Sequence, residues 1–386
     1  MDISRETVVV VLAVAALAPV LADLPSHVRV PVVVTEILAG IIVGPQVLDL
    51  AHPDAVLDTL SDFGLAFLFF MAGMEIEPET VRGHAAKLAG AGWLVSLILG
   101  MTFAAALYAS DVIGAPVLVG LALTTTALGA LVPILRDADL TEHPVGRMVL
   151  ATGAAGEFCP IVALSIVLAV ASGEPWRTVL LIVFAVIVVG AGLLTTRARP
   201  ARVVRLIEAT MHSSGQLALR LALLLLGGLV AIAGSLGLDV VLGAFAAGFI
   251  IGLITRTPSA RDFRVKLDGV GYGFLIPIFF ISTGLGFDLD SLIDDPGSML
   301  LVPFFATLFL LARGLPAYLL ARAELPRRER TALAFMAASA LPLVVAITEI
   351  ATADGTLAED DAAALVGAAM LSLLLFPLVG TALIRR

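Results

Sequence analysis

The chain has 386 residues, 60% hydrophobic and only 14% charged, with a mean hydropathy of +1.06 and a formal net charge of −9. Soluble domains are about 45–50% apolar and about 25% charged, so the composition excludes a soluble globular protein, a secreted disulfide scaffold and a disordered chain. The single cysteine, Cys159, sits in an apolar run, which leaves no disulfide framework and no cysteine-based metal site. No basic tract points to nucleic acid.

Crossing a bilayer takes about 20 apolar residues. Apolar runs between charged or Pro/Gly breaks predict thirteen spans, near 7–22, 30–50, 58–75, 86–108, 115–135, 146–172, 176–196, 216–236, 239–255, 267–287, 298–321, 329–352 and 361–384. The fold class is therefore an all-α polytopic membrane protein of about 13 transmembrane helices. Span 1 is short, but its flank carries Asp2 and Glu6 against a single Arg5, unlike the positive n-region of a secretory signal. It reads as a retained helix.

The basic residues orient the chain. Of the 23 Lys and Arg, 20 fall on the side of the odd-numbered loops and the C-terminus, two (Arg5 and Arg177) on the other side, and Arg313 within span 11. By the positive-inside rule the odd loops are cytoplasmic, the N-terminus outside and the C-terminus inside.

Two pairs of segments repeat at nearly constant offset. Glu36-Ile-Leu-Ala-Gly-Ile-Ile-Val-Gly44 matches Ala244-Phe-Ala-Ala-Gly-Phe-Ile-Ile-Gly252, an offset of 208, and Leu68-Phe-Phe-Met-Ala-Gly73 matches Ile278-Phe-Phe-Ile-Ser-Thr283, an offset of 210. Span 2 maps onto span 9 and span 3 onto span 10. A shift by an odd number of spans inverts one copy against the other, the architecture of many secondary transporters. Substrate sites in such folds form where corresponding helices are interrupted. Span 5 contains Thr124-Thr-Thr-Ala-Leu-Gly-Ala-Leu-Val-Pro133, and the same offset lands beside Pro342 in span 12. A proline in mid-helix removes a hydrogen bond and clashes with the preceding turn, so Pro133 and Pro342 are the expected break points of a crossed pair of discontinuous helices.

Few ionisable residues lie deep in the spans. Glu157, near the middle of span 6, costs roughly 2.5–3.5 kcal/mol on insertion scales, which makes an intramembrane acid a functional candidate. Gly153, Gly156 and Pro160 leave the backbone open around it. Arg313 is the only base deep in a span and needs an anionic partner or exposed carbonyls; Glu157 and the broken helices are the candidates. Glu36 and Glu349 read equally as structural or functional. His27, His52, His84, His143 and His212 all fall in predicted loops, and no catalytic His pair, Ser/His or paired-Asp constellation lies at membrane depth, which argues against an enzyme.

Pro31-Val-Val-Val-Thr-Glu36-Ile-Leu-Ala-Gly40-Ile-Ile-Val-Gly-Pro45 resembles the second-span signature of the Kef/Nap-type monovalent cation:proton antiporters, in the sodium/proton exchanger superfamily. Gly64 to Glu75, Leu242 to Gly248 and Ile276 to Leu285 are similar to further motifs of that family, in the same order. The resemblance implies scaffold and dimerisation helices 1–3 (1–83), transport-core helices 4–6 (84–173), a linking helix 7 (174–196), scaffold helices 8–10 (197–290) and core helices 11–13 (291–386). It implies an elevator-like cycle, a homodimer and a bacterial-type inner (plasma) membrane. Thr124 to Thr126 match the family's unwound helix, Glu157 its ion-binding aspartate and Arg313 its intramembrane basic residue. Two departures stand out. Gly156-Glu157 replaces the family's Asp-Asp, Asn-Asp or Gln-Asp, so the acid is one methylene longer and its neighbour has no side chain. The chain also reaches Arg386 directly after span 13, so the cytoplasmic nucleotide-binding domain of many Kef-type relatives, and regulation by it in cis, are not expected.

The resulting expectation is exchange of Na⁺ or K⁺ for protons without a bound cofactor. Glu157 binds proton and transported metal cation in turn, and Thr125, Thr126 and freed carbonyls supply oxygens, which hard cations prefer. One carboxylate predicts one proton per cation, hence electroneutral exchange. The competing expectation is an ion-coupled carrier of an anion, with Arg313 as counter-charge.

Overall fold

The computed structural model describes residues 5–23, 30–75, 84–171, 176, 216–235, 240–255, 261–290 and 296–385. The predicted span 176–196 lies outside the described residues except for Trp176, as do the arginines at 197, 199, 202 and 205, and also His27 and His212. The described residues are helical with no strand among them, and eight helices are long and apolar enough to cross a membrane, with three shorter apolar helices beside them. The protein is an all-α polytopic membrane protein.

In chain order the helices are α1 (Arg5–Asp23), α2 (Val32–Val43), α3 (Ala55–Glu75), α4 (His84–Ala109), α5 (Pro116–Ala122), α6 (Leu128–Asp137), α7 (Pro144–Ala171), α8 (Leu217–Ser235), α9 (Val240–Ile254), α10 (Arg261–Val270) and α11 (Ile276–Leu285). They continue with α12 (Pro296–Phe309), α13 (Leu315–Leu320), α14 (Arg327–Ala337), α15 (Pro342–Ala353) and α16 (Glu359–Arg385). Single π-helical turns, Gly271–Leu275 and Leu310–Gly314, join α10 to α11 and α12 to α13. His84 opens α4 rather than lying in a loop, with Nε2 3.1 Å from Glu324 Oε1. Span 10 likewise begins earlier than its apolar run. Arg261 to Lys266 is helical because Phe263 and Leu267, one turn apart, bury one face of α10 and leave its charges on the other.

The chain divides into two compact units. One comprises Ala55–Glu77 and Ile161–Phe279. Its centre is the crossing of α3 on α9, where Gly248 meets Phe70 backbone to backbone and Gly73 lies against Phe245. Close approach through small residues is the usual means of packing helices in lipid, where apolar contact alone gives no driving force. Arg264 closes this unit at the end of α9, donating from Nε to Thr255 Oγ1 (3.4 Å) and from Nη2 to the Gly252 carbonyl (3.4 Å).

The other unit comprises Met1–Asp54, Pro78–Pro160 and Phe280–Arg386. Here α2 crosses the end of α11, with Gly40 and Gly284 face to face. The repeat read in the sequence is thus built reciprocally: within each unit, a copy of the first motif packs on the opposite copy of the second. The core of this unit gathers Leu131, Leu135, Val145, Val149, Leu333 and Met336. The Gly114 N–H donates to Asp361 Oδ2 (3.3 Å), tying the turn before α5 to the start of α16.

A Cβ at Gly284 would lie 2.9 Å from both Gly40 Cα and Ile41 N, whereas one at Gly228 meets nothing within 4 Å. Gly284→Ala should therefore destabilise by about 1–3 kcal/mol, read as a lowered Tm in detergent. Gly228→Ala should leave Tm unchanged or slightly raised.

Candidate functional site

Both predicted discontinuous spans are broken. The first break, Leu123 to Ala127, separates α5 from α6; the second, Ala338 to Leu341, separates α14 from α15. Pro342 is the first residue of α15, where a missing N–H costs nothing because that N–H has no helical partner. Pro133 is inside α6, five residues past its start, so the first interruption is not where that proline stands. Threonines make it instead. Thr124 Oγ1 donates to the Leu121 carbonyl (2.7 Å) and Thr125 Oγ1 to the Ala122 carbonyl (2.8 Å), each alongside the same residue's own N–H (2.9 and 3.2 Å), so backbone and hydroxyl together close α5 in i→i+3 turns.

The two breaks then satisfy each other. The Ala127 N–H donates to the Ser339 carbonyl (2.7 Å), and Thr126 Oγ1 donates to the Ala337 carbonyl (2.6 Å). The Thr126 N–H donates to the Gly156 carbonyl on α7 (2.9 Å), which fastens the first break directly beside Glu157. Glu157 is half-buried, and Thr124, Thr125 and Thr126 are buried.

Arg313 stands in the π turn before α13 and is the largest fully buried side chain among the described residues. Its Nε donates to Thr126 Oγ1 (2.9 Å) and its Nη2 donates to the Thr152 carbonyl on α7. The guanidinium is thus held by a broken helix and a helix carbonyl, while Nη1 has no hydrogen-bond partner among the described residues. A Cβ at Gly156 would run into Thr126 Oγ1 and lie 2.6 Å from Arg313 Nη2. The bare Cα next to the acid is the space that the Arg313–Thr126 bond occupies.

Thr126 and Arg313 are thus bonded to each other and to α7 at Gly156 and Thr152; Glu157 is the residue after Gly156, and Thr125 the residue before Thr126. Glu36 is buried on α2 and Glu349 is exposed on α15, and none of the bonds just described uses either. Two participants carried no signal read from the sequence: Thr152, through its backbone, and Ser372. Ser372 on α16 is completely buried and bonds both backbone groups of Ala340 in the second break. It lies 13 residues after Glu359 at the start of α16, as Glu157 lies 13 residues after Pro144 at the start of α7, a correspondence that the repeat could have supplied. Among the described residues no group of three or more His, Cys, Asp or Glu could hold a metal ion.

The sequence matches the family described as "Sodium/hydrogen exchanger, transmembrane" over residues 12–386. A relative in Bacillus subtilis, named "Putative Na(+)/H(+) antiporter YjbQ", is 28% identical over 406 residues, covering 99% of this chain and 64% of that protein. In Arabidopsis thaliana, "Cation/H(+) antiporter 18" is 28% identical over 298 residues, covering 70% of this chain and 36% of that protein. The chain thus spans less than two thirds of either relative. Among solved structures, the sodium proton antiporter MjNhaP1 from Methanocaldococcus jannaschii superposes with a TM-score of 0.67 at 15% identity, over 99% of this chain and 97% of that one, which shows a shared fold. With a family match running through nearly every helix, crossed breaks included, the chain belongs to the transmembrane sodium/hydrogen exchanger family.

Proposed function

We propose that the protein exchanges a monovalent cation, Na⁺ or K⁺, for protons, one for one, by elevator-like alternating access. The observation that carries this reading is the crossing itself, where two interrupted helices are pinned to each other and to the Gly156 carbonyl beside Glu157. Irregular backbone at membrane depth is tolerated only inside protein or along a water-filled cavity, and an acid placed there is suited to hold a proton or a cation. The relatives' names, Na⁺/H⁺ and cation/H⁺ antiporter, point to the same chemistry.

Electroneutrality follows from the charges. Glu157 is neutralised equally by one proton or one monovalent cation. Arg313 keeps its charge in both states, because a guanidinium does not give up its proton in proteins and two of its nitrogens are committed to Thr126 and Thr152. The loaded site then carries the same net charge in either direction. In this reading the protein is a homodimer in a bacterial-type inner membrane; the distribution of basic residues supports an N-terminus outside and a C-terminus in the cytoplasm.

Proteoliposomes with a trapped pH dye and an imposed pH gradient test this. Adding Na⁺ or K⁺ should dequench the dye, and Glu157→Gln should bring the signal down to the protein-free background. No cation response in intact wild-type protein refutes the exchange. An imposed membrane potential should leave the rate unchanged; clear stimulation would refute one-for-one stoichiometry. Gly156→Ala should push Arg313 off Thr126, lowering both exchange and Tm, at a cost of about 1–3 kcal/mol. Wild-type rate and Tm in that variant would show that the bond is dispensable.

A further inference from the structure

Ser372 Oγ accepts from the Ala340 N–H (3.1 Å) and has two carbonyl oxygens within reach, Ala340 (3.1 Å) and Ala369 (2.8 Å). A hydroxyl has one proton to donate. It serves either Ala369, one turn back on its own helix, or Ala340 in the second break, but not both in full. Ala340 follows Ser339, whose carbonyl takes the Ala127 N–H, and Ala127 follows Thr126, whose N–H rests on Gly156 beside Glu157. The Ala340 carbonyl therefore belongs to the same crossing as the proposed ion site, and it is the one carbonyl of the second break shared with a rotatable donor.

We propose that the Ala340 carbonyl is a ligand for the dehydrated monovalent cation and that Ser372 is its positioning residue, tying the oxygen down by donating to it and releasing it by donating to Ala369. Ser372 occupies on α16 the place that Glu157 occupies on α7, so the two halves of the repeat put an acid at one break and a proton-switching hydroxyl at the other. The acid binds the cation; the hydroxyl competes with the cation for a carbonyl. Throughout, the Ala340 N–H stays bonded to Ser372 Oγ, so the break keeps its shape while its oxygen changes partner. The inference rests on the exchange reading given above.

The test is a KM-against-kcat split for the cation in the same proteoliposomes. Ser372→Ala removes the competitor for the Ala340 oxygen, and a hydrogen bond of about 0.5–1.5 kcal/mol corresponds to a KM lowered about threefold to tenfold. The kcat should fall with it, because the oxygen no longer has a donor to take it over when the cation leaves. The N–H that loses its acceptor is orphaned with or without cation, so it lowers Tm but not KM. A merely structural serine predicts the opposite: lowered Tm with KM unchanged or raised, and either result overturns the proposal. Should Ser372→Ala not accumulate as folded protein, Ser372→Cys, whose thiol is a weak donor, is read the same way, a lowered KM supporting the proposal and an unchanged or raised one overturning it. Wild-type exchange and its loss in Glu157→Gln separate the two levels. If neither is seen, the exchange reading fails and takes this inference with it; exchange with an unshifted KM overturns the role of Ser372 alone.

Discussion

A backbone N–H or C=O left unpaired at membrane depth costs several kcal/mol, because hydrocarbon offers no water to replace the lost partner. Interrupting two helices there exposes such groups at four helix ends. The protein meets this cost by crossing the interruptions so that each supplies what the other lacks: Ala127 gives a donor to Ser339 and Thr126 gives a hydroxyl to Ala337, while Ser372 on α16 accepts the Ala340 N–H. α7 contributes through the Gly156 carbonyl, one residue before Glu157.

Arg313 shows how a full charge is accommodated in the same region. Its Nε and Nη2 reach neutral oxygens of two different segments, and the fork of a guanidinium is suited to such bridging in a way that an ammonium is not. A guanidinium bonded to Thr126 braces the first break and adds a positive charge fixed in place. The absence of a side chain at Gly156 belongs to the same arrangement, since the guanidinium and the Thr126 hydroxyl fill the volume a Cβ would need.

Much of this was legible in the residues. Apolar runs marked the spans, and the offset between Glu36–Gly44 and Ala244–Gly252 revealed the repeat and led to the second break. The offset misjudged detail because it is not constant: Leu128 and Pro342, which open the helices after the two breaks, are 214 residues apart, and Pro144 and Glu359 are 215. The connections in the second copy are longer, so a register of 208 falls several residues short by α16, and Ser372 went unnoticed opposite Glu157. Pro133 misled for a different reason. A proline says where a hydrogen bond is missing, whereas here α5 closes in i→i+3 turns at Thr124 and Thr125 and Thr126 turns to the other break, so the run of threonines is the better marker. Likewise, which oxygen answers Arg313 depends on a carbonyl of Thr152, and backbone acceptors leave no trace in composition.

The π turn at Leu310–Gly314 has one more consequence. An i→i+5 bond encloses one residue more than the α-helical pattern, so this turn amounts to a single-residue insertion absorbed by an otherwise regular helix. Each residue of an α-helix turns the next by about 100°, so α13 is rotated out of the phase that α12 alone would give it. Shortening this stretch by one residue would return it to the α-helical repeat, apart from the N–H that Pro316 lacks, and still swing the side chains on one side of the turn to a different face. The helix would be intact and the guanidinium lost from the crossing, so chain length between α12 and α13 is as much a part of this site as the residues that touch it.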